Sequence, residues 1–158
     1  MQSKKVKQAI ALSVDTLIMR GPFTLREAAA LARGSISDSD YSVADLAERD
    51  MTWLMRAVKE YATHALSQGD MQTLYSRVPD AFREAMPEVS RCICSKPGRE
   101  AEWVGVFEAS RDAWKLNMEM KEFIAARTAV SAENARFIYD LLKFTGKETL
   151  GDLLVEAA

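Results

Sequence analysis

Apolar positions recur along this chain at helical rather than strand spacing. Over residues 5–19, Val6, Ile10, Val14, Leu17 and Ile18 are separated mostly by three or four residues, which keeps them on one side of a helix. Arg20-Gly21-Pro22 ends that pattern, because glycine and proline interrupt helices. Thr24 and Glu27 then form a capping box: the threonine hydroxyl accepts the amide of Glu27, and the carboxylate returns to the amide of Thr24. A short second helix carries Leu25, Ala28, Ala29 and Leu31 and stops at Gly34. Residues 34–42, rich in serine and aspartate, are expected to form a loop. Ser42 followed by Asp45 marks a third helix reaching to about Leu66, with Val43, Ala47, Met51, Leu54, Val58, Tyr61 and Ala65 on its apolar face.

Residues 71–75, 80–86 and 88–94 are assigned to short helical pieces, the middle one bounded by Pro79 and Pro87. Ser95-Lys96-Pro97-Gly98 marks a boundary. Beyond it lies the longest pattern in the chain: Val106, Ala109, Ala113, Leu116, Met120, Phe123, Arg127, Val130, Asn134, Phe137, Leu141 and Phe144, at alternating steps of three and four. Such a seam keeps to one side of a helix and predicts helix pairing and self-association. Whether residues 99–144 form one helix or two is open; Thr128 to Ser131 is the place for a break, and the unbroken phase favours one helix. Arg127 and Asn134 are polar positions suited to fixing register, while Trp103, Trp114, Ile124, Ile138 and Leu142 widen the stripe toward the wall of a bundle. Thr145-Gly146 ends the seam, and a short last helix carries Leu150, Leu153 and Leu154. The expected fold is all-α: a helix-turn-helix-like domain over residues 1–97, then a long bundle or coiled-coil helix and a short terminal helix over residues 98–158.

Composition adds bounds. A chain of 158 residues with 48% hydrophobic and 28% charged side chains can bury a core and is not expected to be disordered. No apolar run approaches the roughly 20 residues a membrane span needs, and the N-terminal segment lacks the pattern of a secretory signal, so a cytoplasmic location is expected. The net charge of −2 conceals segregation: residues 1–34 carry +4 and residues 35–50 carry −4, the latter from Asp38, Asp40, Asp45, Glu48 and Asp50 against Arg49.

Candidate chemistry is sparse. Cys92 and Cys94 are too close for an ordinary structural disulfide and have no second pair to complete a zinc site. His64 is the lone histidine, so no multi-histidine metal site exists. Glu108 with Asp112, and Glu119 with Glu122, share helical faces as in all-α nucleotide pyrophosphatases, but Arg111, Lys115 and Lys121 interleave with them as on a solvated, ion-paired face. Neither common glycine-rich phosphate loop occurs. The chain is expected not to be an enzyme and to use no cofactor or metal.

Nucleic acid binding has more to support it. Residues 4–66 follow the element order of a helix-turn-helix or winged-helix unit. The segment from Arg20 to Ala29 resembles the opening of bacterial winged-helix regulators. On the third helix, Arg49, Trp53 and Arg56 share a face away from the apolar stripe, with Lys59 nearby. Lys4, Lys5, Lys7 and Arg26 are the expected phosphate contacts. The acidic residues between 38 and 50 oppose such contact. Tyr75-Ser76-Arg77-Val78-Pro79-Asp80-Ala81-Phe82-Arg83-Glu84-Ala85-Met86-Pro87, followed by a long helical pattern, resembles the middle of prophage YdaT-type regulators, which are similar to phage CII proteins. That resemblance implies an N-terminal helical DNA-binding domain and a C-terminal oligomerising helix. The rival expectation is an all-α module that binds a host protein, for which eight methionines and three tryptophans provide adaptable apolar surface.

Overall fold

A computed structural model of the chain describes residues 4–36, 51–128 and 132–155. Helix α1 (Lys4–Arg20) buries Val6, Ala9, Ile10 and Val14, and its buried Ser13 donates to the carbonyl of Ala9 at 2.6 Å, so that hydroxyl costs little. Gly21, at φ 121°, turns the chain into strand β1 (Phe23–Thr24). The capping box that opens α2 (Leu25–Gly34) is formed: the Thr24 amide donates to Glu27 Oε2 at 2.7 Å and the Glu27 amide donates to Thr24 Oγ1 at 3.1 Å. Helix α3 (Met51–Thr63) follows; the expected loop beyond residue 36 and the expected start of this helix lie outside the described residues. Ser67 caps α4 (Gln68–Arg77), and α5 (Asp80–Arg83) sits between the two prolines.

The sequence reading fails at residues 88–105. They form a hairpin, β2 (Cys92–Lys96) and β3 (Glu102–Gly105), instead of a helical piece and the start of a long helix. With β1 they make an antiparallel sheet in the order β1-β3-β2, with Phe23 opposite Trp103, Cys94 opposite Trp103 and Ile93 opposite Val104. The fold is therefore mostly helical with a small sheet. The hairpin was concealed because both of its faces are covered, so the strands read as short apolar runs without polar alternation. Pro97 and Gly98 lie in the turn between two paired strands, so the expected division of the chain at residue 97 falls inside the sheet.

The question of one helix or two over residues 99–144 is answered by two helices. Ser110 accepts the amide of Ala113 at 3.1 Å and starts α6 (Arg111–Thr128); α7 (Glu133–Thr145) is separate and packs against it. Val106 and Ala109 precede α6 and are 1% exposed, inside the core rather than on a seam. Gly146, at φ 68°, closes α7, and a second capping box, Thr149 with Asp152, opens α8 (Leu150–Leu154). Asn134 is exposed in the single chain, and its Nδ2 donates to the carbonyl of Glu88 at 3.3 Å. Val130 and the side chain of Arg127 lie outside the described residues.

Two apolar clusters meet at the sheet. Val6, Ile10, Val14, Phe23, Leu54 and Val58 form the first with Cys92 and Trp103. Leu74, Val78, Trp114, Ile138, Leu141 and Leu150 form the second with Ile93 and Val104. Alternate side chains of one short hairpin thus enter two cores, one per face. Gly105 faces the first: a Cβ there would fall 2.6 Å from Cγ2 of Ile18, so only glycine lets α1 approach β3 this closely. The open edge of β2 is covered by α6, whose buried Asn117 donates from Nδ2 to the carbonyl of Cys94 at 3.2 Å.

Candidate nucleic-acid interface

The C-terminal end of α3 is tied to the approach to β2. The amide of Arg91 donates to the carbonyl of His64 at 2.8 Å, and that of Leu66 donates to the carbonyl of Val89 at 2.7 Å. From this anchor α3 runs back along the hairpin toward its tip. Met55 lies with Gly98, Arg99, Glu100 and Ala101 around a concavity of about 940 Å³, whose other wall is the start of α2 with Thr24, Leu25, Arg26 and Glu27. The start of α2, the middle of α3 and the hairpin tip therefore converge on one surface.

Its charge comes from several elements. Thr52, Arg56, Lys59 and Thr63 are exposed at steps of four, three and four, a single solvent face of α3. Lys59 is close enough to β2 to act on Cys94: burial raises that thiol's pKa, while a backbone hydrogen bond and the Lys59 charge oppose the rise. Lys96 and Arg99 are exposed at the hairpin tip. Against these stand Glu27, held by the capping box, and Glu100 and Glu102.

The expected contact residues do not form one group. Arg26 lines the concavity and Arg56 is exposed on α3. Lys4, Lys5 and Lys7 are exposed on α1, but Lys4 and Lys7 line a different groove, beside Ala57, Tyr61 and His64. Trp53 is half-buried and packs against the first cluster, so it is not an open platform between arginines. Arg49 and the acidic residues from Asp38 to Asp50 lie outside the described residues. Lys96 and Arg99 were missed; basic residues flanking Pro97-Gly98 would have marked a hairpin tip had the strands been read.

Other groups have structural roles or are solvated. Burial first, then Asp15 and Glu108, push the Cys92 thiol up to about 12 against the opposing charge of Arg91, so it stays protonated and is a poor nucleophile. The Tyr61 hydroxyl donates to the Asp15 carboxylate at 3.2 Å, and the Arg91 guanidinium lies 4.4 Å from the centre of the Tyr61 ring. Burial and then Asp15 raise the Tyr61 pKa. Glu122 pairs with Arg136, Arg111 pairs with Glu148 at 2.5 Å, and Glu108, Asp112 and Glu119 are exposed. Among the described residues no group of three or more histidine, cysteine, aspartate or glutamate side chains is placed to hold a metal ion, and no helix is long and apolar enough to cross a membrane. No family model, curated protein or solved structure matches the chain.

Proposed function

We propose that the chain is a DNA-binding regulator of phage or mobile-element type, whose first helical layer and hairpin form a winged helix-turn-helix unit and whose C-terminal helices associate with a second copy. The observation that carries this reading is the convergence of the start of α2, the middle of α3 and the hairpin tip around one concavity lined by Arg26 and Arg99, with Arg56, Lys59 and Lys96 exposed on the same elements. Among the described residues, the order α1, β1, α2, α3, β2, β3 with sheet order β1-β3-β2 supports a winged-helix reading, with α4 and α5 inserted between α3 and β2. In this reading α3 enters a groove, Arg26 and the hairpin tip hold phosphates, and Lys4, Lys5 and Lys7 add basic charge. Arg49 remains in the contact set on sequence grounds, and Trp53 becomes a packing residue that holds α3.

Self-association draws on apolar side chains exposed on α6: Leu116 and Phe123 of the seam are 39% and 61% exposed and the flanking Ile124 44%, with Met120 half-buried. The reading is tested by titrating a labelled mixed-sequence duplex at two salt concentrations: binding that weakens steeply with salt is expected, and absence of binding at low salt overturns it.

A second reading, an interaction module for a host protein, is favoured by Leu12 and Met19 on α1, 66% and 82% exposed. Absence of duplex binding together with salt-tolerant binding to one host protein would select it.

A further inference from the structure

A second concavity lies between α1 and α3, on a different side of α3 from the hairpin. Around the axis of α3, Ala57 and Tyr61 point about 160° away from Met55 and Lys59, at 100° per residue. The groove encloses about 610 Å³, within the range of small-molecule sites. Ala11 on α1 and Ala57 on α3 both line it, and their small side chains leave space that larger ones would fill. Ile10, 3% exposed, and Ala57, 7% exposed, supply apolar walls.

Tyr61 is a rigid part of that wall. Its hydroxyl is engaged by Asp15, and its ring is overlain by Arg91. The phenol's polar end is thus already satisfied, leaving its ring to serve as apolar surface. Polar groups stand at the rim: Lys4 and Lys7, both exposed, with Gln8 and His64, and one carboxylate, Glu60. Two ammonium groups against one carboxylate favour an anion. An apolar interior with a cationic rim fits a ligand with an apolar body and a single negative head.

We infer that this groove binds a hydrophobic monocarboxylate, an acyl or aryl acid whose tail lies between Ala11 and Ala57 against Tyr61 and whose carboxylate meets Lys4 and Lys7. The inference uses neither the hairpin nor the solvent face of α3; it shares only Lys4 and Lys7 with the DNA reading, and Ala11→Trp, which leaves both lysines in place, separates the two.

The test is calorimetric titration of the full chain with decanoate, with decylammonium as the control of opposite charge. Saturable binding of one decanoate per chain is expected, with no saturable binding of decylammonium. Lys4→Glu with Lys7→Glu changes only exposed positions and should weaken decanoate binding about tenfold or more. Ala11→Trp should abolish it by filling the groove. Absence of saturable decanoate binding overturns the inference, as does equal binding of the ammonium analogue or unchanged affinity in the doubly charge-reversed chain. Should Ala11→Trp lose its fold by circular dichroism, the charge-reversed chain decides the matter.

Discussion

Removing the two cations at the hairpin tip, Lys96→Ala with Arg99→Ala, tests the DNA reading where it is most specific. Both side chains are exposed and outside either apolar cluster, so the double substitution should change stability by no more than about 0.5 kcal/mol per site. Its effect should appear in the salt dependence of binding. Each phosphate contact contributes about 0.9 to the slope of log affinity against log salt. Two lost contacts therefore lower the slope by about 1.8. Over a fourfold rise in salt, the gap between parent and variant should narrow by about twelvefold, the arithmetic consequence of that slope difference. The assay is fluorescence anisotropy with a labelled duplex at two or more salt concentrations. A control pair, Lys115→Ala with Lys143→Ala, removes equal charge from exposed positions on α6 and α7. An unchanged slope in the tip variant refutes the placement of the hairpin on DNA. Equal loss in the control pair would show that net charge, not this surface, governs binding.

Further outcomes follow from packing and titration. Gly105→Ala places a methyl against Ile18 and should cost about 1–3 kcal/mol in urea denaturation, as overpacking does; an unchanged midpoint would mean that α1 can shift from β3 freely. Leu116→Asp with Phe123→Asp should lower the mass seen in sedimentation while circular dichroism shows the helical content kept, because both side chains are partly or largely exposed in the single chain; a mass equal to the monomer in the parent chain would remove the self-association proposal. The Cys92 thiol, raised from 9.0 to about 12, favours the folded state while protonated, so its contribution is complete below pH 9 and is lost as pH rises from 9 toward 12. Tyr61, also raised, acts in the same direction. Denaturation midpoints should therefore fall across that alkaline window, and the decline should be smaller in Cys92→Ala compared with its own neutral value.

Local signals were read correctly where the physics is local. The capping box of Thr24 and Glu27 requires only four consecutive residues, and it formed as expected. The periodic face of α1 and the proline brackets around α5 also needed no distant partner. The seam had a different status. Steps of three and four keep phase whether a helix continues or is followed by a second one, so Val106 to Phe144 could not by itself distinguish one helix from α6 and α7. Of its positions, Leu141 became fully buried, Phe123 and Phe144 stayed exposed, and Val106 fell outside any helix.

The candidate interface divides in the same way. Basic residues at 4, 5, 7, 26 and 56 were visible in the chain, but which of them share a surface was not, because charge carries no periodicity that encodes a neighbour. The β2–β3 pairing decided it, bringing Lys96 and Arg99 to the hairpin tip and Arg26 to the concavity beside Arg99, while Lys4 and Lys7 line the groove between α1 and α3. By itself the sequence determined the helical character of most segments and several of their ends, since turns, caps and amphipathic faces are properties of a few adjacent residues. Tertiary structure alone decided the hairpin, the break in the seam and the grouping of charges, since a strand covered on both faces shows no alternation until its two cores are in place.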